Sequence, residues 1–172
     1  TTLITGPTNL ETPQGVNIVK VNSAEEMYQK TLENLPVDVA IFAAAVSDFR
    51  AKKIMPEKIK KEKFENIEIE KTKDILDYTS KNNNLRPKLV IGFAAETNNL
   101  ERNSIKKLNE KNCDWIIAND VSNKKIGFDS DYNEIKIFDR NQKAPKHISY
   151  NTKEMIAKEI VKKISDELKS DG

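Results

Sequence analysis

Histidine and cysteine are nearly missing from this chain: His147 and Cys113 are the sole examples in 172 residues. A lone cysteine excludes an internal disulfide and suits a reducing cytoplasm. One histidine and one cysteine cannot build a zinc-type cluster. Glycine is also scarce, with 5 in all. None falls in a GxGxxG or GxxxxGK[ST] pattern, so the common Gly-rich phosphate loops are absent. No apolar stretch approaches the ~20 residues of a membrane span. The amino end carries no basic-then-apolar targeting pattern. Neither sign of charge dominates: 29 Lys+Arg against 27 Asp+Glu leave a net +2. That balance gives no support to a nucleic-acid or membrane-surface binder. The expectation is a cytoplasmic protein without membrane or nucleic-acid partners.

Against these absences stand three apolar runs that each break off into a polar cluster. Val39 to Val46 ends at Ser47-Asp48-Phe49-Arg50. Lys88 to Ala95 ends at Glu96-Thr97-Asn98-Asn99. Trp115 to Ala118 ends at Asn119-Asp120. Short continuous apolar runs read as strands buried on both faces of a parallel sheet. Ligands of open α/β sheets sit outside the carboxyl ends of the strands. Three polar clusters at three such ends point to one shared site.

Helical and extended patterns alternate along the chain. Leu3–Thr5 reads as a strand stopped by Gly6-Pro7. Val16–Val21 reads as a second strand. Ser23 is a good N-cap for a helix to about Asn34, with Met27, Thr31 and Leu35 on one face. A Lys-dense loop from Arg50 to about Asn66 leads to a strand at Ile67–Lys71 and a short helix at Asp74–Asn82 carrying Ile75, Leu76 and Tyr78. Leu100–Asn112 is a helix with Ile105 and Leu108 inward. Glu134–Asp139 and His147–Tyr150 pair as antiparallel strands. Thr152 caps a last helix whose Ile156, Ile160, Ile164 and Leu168 recur every four residues. The fold class is α/β: a Rossmann-like, three-layer, doubly wound, mostly parallel sheet with a small antiparallel strand pair near the C-terminus. Residues 1–172 read as one nucleotide-binding domain. The abrupt opening on Thr1-Thr2-Leu3 suggests that earlier elements are missing.

Each polar cluster carries a functional and a plain reading. Small residues at Ala43–Ala45 would let a ligand approach the backbone, with Asp48 binding a metal or a donor group; otherwise the alanines pack and Asp48 caps a turn. Pro56-Glu57-Lys58-Ile59-Lys60-Lys61 is a solvated basic loop or, being long and placed at a strand end, a lid whose lysine neutralises phosphate. Lys107 and Lys111 share one helix face, which complements the helix dipole or meets an anion. Asn119-Asp120 is a turn signal or a site floor. Cys113 reads as core rather than nucleophile, because no histidine is placed to activate it. His147 lies in an edge-like strand, where nothing supports a general-base role.

The ordered set Ala44-Ala45-Val46-Ser47-Asp48-Phe49-Arg50, Pro56-Glu57-Lys58-Ile59-Lys60-Lys61, Gly92-Phe93-Ala94-Ala95-Glu96-Thr97, Ala118-Asn119-Asp120-Val121-Ser122 and Gly127-Phe128-Asp129-Ser130-Asp131 resembles phosphopantothenoylcysteine synthetase. The resemblance covers nearly the whole chain. In most bacteria that enzyme is the carboxyl-terminal half of a bifunctional coenzyme A biosynthesis protein. FMN belongs there only to the fused decarboxylase domain. The resemblance implies a homodimeric ligase joining phosphopantothenate to L-cysteine with CTP and Mg²⁺, through an acyl-cytidylate. It implies that Phe42, Ala43 and Ala44 lie along the nucleotide, with Asp48 at its base or sugar. It makes Lys58 the catalytic lid lysine and sets Lys73, Asp74, Ile75 and Leu76 over the cytosine. Phe93 would pack on the nucleotide, and Lys107 and Lys111 would reach the triphosphate. Ala45, Asn119 and Asp120 would face phosphopantothenate and the site floor. No side chain is assigned as a metal ligand; Mg²⁺ would be held mainly by phosphate oxygens and water.

Two departures stand out. Thr72-Lys73-Asp74-Ile75 replaces the Asn-Pro-Asp-Ile often found in the family. The family's opening strand and Gly-rich loop, with its catalytic asparagine, have no match. The expectation is that these residues alone have little or no ligase activity. Two other readings stay open: a Rossmann-like NAD(P)-binding oxidoreductase fragment, or a non-catalytic nucleotide-binding module.

Overall fold

The computed structural model describes residues 1–53, 66–82, 84–122 and 130–170. In chain order the elements are β1 (Thr2–Thr5), β2 (Asn17–Lys20), α1 (Ala24–Glu33), β3 (Val39–Phe42), β4 (Phe49–Ala51), β5 (Ile69–Lys71), α2 (Ile75–Lys81), β6 (Leu89–Glu96), α3 (Leu100–Glu110), β7 (Trp115–Asp120), β8 (Tyr132–Asp139), β9 (Lys146–Thr152) and α4 (Lys153–Ser170). Their contacts group into two compact units: Thr1–Val37 with Ala44–Arg86, and Asp38–Ala43 with Pro87–Gly172.

The second unit is built on a five-stranded sheet of order β3-β6-β7-β8-β9. β3, β6 and β7 run parallel, and β8 and β9 follow antiparallel, as the late strand-pair pattern predicts. Alternation sorts the side chains. Ile91, Trp115, Ile117, Ile135 and Ile137 form a core with Ile156, Ile160 and Ile164 of α4. α3 packs mainly on β7, burying Ser104 and Leu108. The four-residue spacing in α4 buries three isoleucines, each contributing about 1.5–3 kcal/mol of burial. Thr152 caps this helix by accepting from the Met155 amide at 3.2 Å.

Several sequence expectations are corrected here. β3 stops at Phe42 rather than Val46, and Ile41 is exposed; among the described residues β3 pairs only with β6. Ile105 is exposed; the buried stripe of α3 is 104–108, and a residue one step along lies about 100° round the helix. Leu168 is exposed as well, one turn past the last buried isoleucine.

In the first unit, β1 and β2 pair in parallel, Leu3 opposite Ile18. Ser23 caps α1 through the Glu26 amide at 3.2 Å, and Glu26 accepts from the Asn22 amide at 2.8 Å, a reciprocal cap. The helix buries Tyr28 rather than the Met27–Thr31–Leu35 stripe. Its ring meets Tyr78 of α2 edge-on, with centroids 5.2 Å apart. β4 and β5 form an antiparallel ribbon, Phe49 opposite Lys71, and β4 takes in Arg50 and Ala51, which the sequence places at the start of the Lys-dense loop. The Lys-rich stretch around Lys58 lies outside the described residues.

Candidate functional site

In the second unit, β6 and β7 end side by side: Ala95 pairs with Asn119, and Glu96 with Asp120. β3 is shorter. Its last residue, Phe42, lies opposite Gly92, so β6 runs on past it. The Phe93 carbonyl, one residue beyond that end, accepts from the Lys107 ammonium at 2.9 Å. A side chain from α3 thereby supplies a donor where the β3 ladder stops. Lys111 closes the last turn of α3, about 6 Å further from the strand ends. Glu96 accepts from the Asn103 amide group at 2.8 Å. Asp120 accepts from the Ser122 hydroxyl at 2.6 Å and the Ser122 amide at 2.9 Å. Those Ser122 donors hold the Asp120 carboxyl below the usual aspartate range, so it is anionic near neutrality.

A cavity of about 250 Å³ opens at this end, lined by Leu100, Ala118, Asp120, Glu134, Ile135, Lys136 and His147. His147 Nε2 lies 2.6 Å from Glu134 Oε1, and Lys136 Nζ 2.7 Å from Glu101 Oε1. β8 runs antiparallel to β7, so its first residues arrive at the carboxyl end of β7. That reversal brings Glu134, Lys136 and His147 to a strand end that the linear motifs do not contain. The signal was the period-two pattern Glu134-Ile135-Lys136-Ile137: one face core, the other polar.

In the first unit, the β4–β5 ribbon joins residues distant in sequence. The Asp48 carbonyl accepts from the Thr72 amide at 3.0 Å, and the Ser47 carbonyl accepts from the Thr72 hydroxyl. Asp48 and the Lys73–Leu76 turn, separate motifs in the sequence, thus become neighbours. Glu25 of α1 anchors the group. It accepts from Lys73 at 3.1 Å and pairs with Arg50 at 3.4 Å, and Arg50 also holds Glu70 at 2.8 Å. Donation from the Gln29 amide and the Lys73 ammonium, with Arg50 beside them, keeps the Glu25 carboxyl below its ordinary value. Lys73 also lies 4.3 Å over the Tyr28 ring. Asp74 caps α2 through the Asp77 amide at 2.8 Å, and Ile75 is buried. Of the predicted set, Ala44, Ala45, Asp48 and Lys73–Leu76 therefore belong to the first unit. Phe42, Ala43, Phe93, Lys107, Lys111, Asn119 and Asp120 belong to the second. Glu25 and Tyr28 were not singled out by motif, and Arg50 stood in the first polar cluster without a role.

A model of one protein family, the DNA/pantothenate metabolism flavoprotein C-terminal domain, matches residues 1–168. The chain belongs to that family. Its members include relatives spread across bacteria. The coenzyme A biosynthesis bifunctional protein CoaBC of Borreliella burgdorferi is 41% identical over 165 residues, 94% of this chain and 40% of that relative. The chain thus spans about 40% of the length of that curated relative. A crystal structure of the C-terminal domain of CoaBC matches with TM-score 0.77 and 34% identity, covering 98% of this chain and 74% of that one. A Cab2 mutant H337A in complex with phosphopantothenate-cysteine has the same fold, with TM-score 0.66 and 14% identity over 91% of this chain and 55% of that one. The family fold matches the α/β class read from the sequence. Among the described residues, no helix is long and apolar enough to cross a membrane.

Proposed function

We propose that this chain is the phosphopantothenate–cysteine ligase part of a coenzyme A biosynthesis enzyme. The observation that carries the reading is the 34% identical match to the C-terminal domain of CoaBC over 98% of the chain. The reaction has two steps. A carboxylate oxygen of phosphopantothenate attacks the α-phosphorus of CTP, and pyrophosphate leaves with the electron pair of the broken P–O bond. The cysteine amine then attacks the acyl carbon, CMP leaves, and the nitrogen gives up a proton. No side-chain nucleophile is required, so the protein's work is positioning and charge stabilisation. That fits a chain with one buried cysteine and one histidine.

Lys107 supports the reading by its place: its ammonium sits at the Phe93 carbonyl, beside the end of β3. Asp48 and the Lys73–Leu76 turn support it by being drawn together around Thr72. Lys58 is assigned the catalytic lid role, with Phe42, Ala43, Ala44, Phe93 and Lys111 along the nucleotide. Ala45, Asn119 and Asp120 are assigned to the phosphopantothenate side. Among the described residues, no three His, Cys, Asp or Glu side chains gather as a metal cage. Mg²⁺ would enter on triphosphate oxygens, where it would neutralise phosphate charge. A cytoplasmic homodimer completes the proposal.

The test is pyrophosphate release dependent on both CTP and phosphopantothenate, in the full-length protein that carries this chain. Lys58→Ala is expected to lower turnover by about two or more orders of magnitude with little loss of CTP affinity. An unchanged rate rules out its catalytic role. Titration calorimetry with CTP, ATP and NAD separates the alternatives, and preferential NAD binding would overturn the ligase reading.

A further inference from the structure

We propose that the cavity at the carboxyl end of β7 is the amino-acid subsite, built for a small zwitterionic α-amino acid. The proposal rests on the ligase reading, which requires an amine partner. It adds Glu134, Lys136, His147 and Leu100 to the site.

Size restricts the occupant. About 250 Å³ is below the roughly 300–1,000 Å³ of pockets that hold drug-sized ligands. An amino acid of a few heavy atoms fits within it. Position agrees, because the cavity opens where β6 and β7 end together.

Charge restricts it further. Ala118 pairs with Lys136 across β7 and β8. That register ends there; beyond it, Asp120 and Glu134 both line the cavity. Two carboxylates on the wall of one small cavity repel each other. A ligand ammonium between them removes the conflict and satisfies its three donors. Asp120 is the stronger partner, since its protein contacts are to neutral Ser122 donors. The opposite requirement is met by Lys136. One of its three N–H groups is directed to Glu101 at 2.7 Å, which leaves capacity for a carboxylate. The contacts Glu134–His147 and Lys136–Glu101 hold both polar groups in place before any ligand arrives, which lowers the ordering cost of binding. Leu100 and Ala118 give an apolar wall for a short side chain such as CH₂SH.

His147 is the only histidine of the chain, so its imidazole gives a single Cε1–H resonance. Titration of the chain with L-cysteine under reductant is expected to move that resonance saturably. Cysteamine, which lacks the carboxylate, and 3-mercaptopropionate, which lacks the amine, are each expected to bind about tenfold or more weakly. No shift at concentrations well above the usual KM ceiling of about 1 mM overturns the subsite, as does an equal response to all three compounds. A kinetic arm uses the full-length protein. Lys136→Met is expected to raise the KM for cysteine about tenfold and to erase the preference for cysteine over cysteamine, with Lys136→Arg restoring part of it. Pyrophosphate–CTP exchange with phosphopantothenate and no cysteine is measured on the same variant, and a loss there as large as the loss with cysteine overturns the assignment of Lys136 to the subsite. An unmoved KM for cysteine overturns the subsite. If the unaltered protein shows no exchange at all, the ligase reading fails, and the resonance titration still decides whether the cavity binds amino acids.

Discussion

Lys163 and Lys107 are both lysines with their ammonium groups turned toward the protein, and they do different work. Lys163 is 11% exposed at its side chain, 2.8 Å from the nearly buried Asp139 and 3.9 Å above the Trp115 ring. Removing one partner of such a pair strands a charge in a place water cannot reach. Lys163→Ala is therefore expected to cost about 3–5 kcal/mol, read as a lowered denaturation midpoint. Lys107 sits instead at a gap in the ladder, and its contact to the Phe93 carbonyl is half-open to solvent. Lys107→Met keeps most of the apolar stem but loses the charge. The expected result is a KM for CTP raised about tenfold, with the melting temperature moved far less than by Lys163→Ala. Neither contact was legible in the sequence. Both lysines stand in helices amid other lysines, and nothing in the local pattern marks which one turns inward.

At the scale of elements, the ribbon β4–β5 depends on one carboxylate from a helix. Glu25 joins Lys73 and Arg50, and its depressed pKa sets the direction of the acid response. A carboxyl whose folded value lies below its unfolded value stabilises the fold above the unfolded pKa. It loses that contribution as pH falls through the folded value. The protection factors of the Phe49–Ala51 and Ile69–Lys71 amides are thus expected to fall on acidification below the ordinary glutamate range. Glu25→Gln should make exchange faster at neutral pH and flatten that acid dependence; an unchanged profile would remove Glu25 from this role. The elements themselves were largely readable. Ser23, Asp74 and Thr152 cap the helices that their types announce. Asp74→Ala is expected to cost about 0.5–2 kcal/mol by thermal melt, through loss of the α2 cap. What was not readable was the length of β3 and the existence of β4. Val39–Val46 is apolar throughout, but only a neighbouring strand can say where pairing stops. Phe49–Ala51 is too short to show a period.

For the whole molecule, the order of segments matters as much as their contents. Asp38–Ala43 belongs with Pro87–Gly172 although the chain between them builds the other unit. A fragment of residues 87–172 would lack β3 and bare the edge of β6, whose first four residues are fully apolar or glycine and buried. Open apolar edges pair with other chains. That fragment is expected to self-associate by size-exclusion chromatography, whereas a version carrying residues 38–43 on a linker should elute smaller. The fold class was legible because strands and helices alternate so regularly. The assembly of the site was not, since it depends on which strand ends meet.

The reversal of direction between β7 and β8 has a consequence for how such a protein can change. β3 and β6 come from the first two apolar runs, but the first residues of β8 and the start of β9 come from a late hairpin. Substitutions at Glu134, Lys136 and His147 leave the residues of the earlier strand ends untouched. The hairpin can drift, or be exchanged for that of a relative, as a cassette. On the proposed function, selection on which amine is accepted then proceeds without disturbing the residues assigned to the nucleotide.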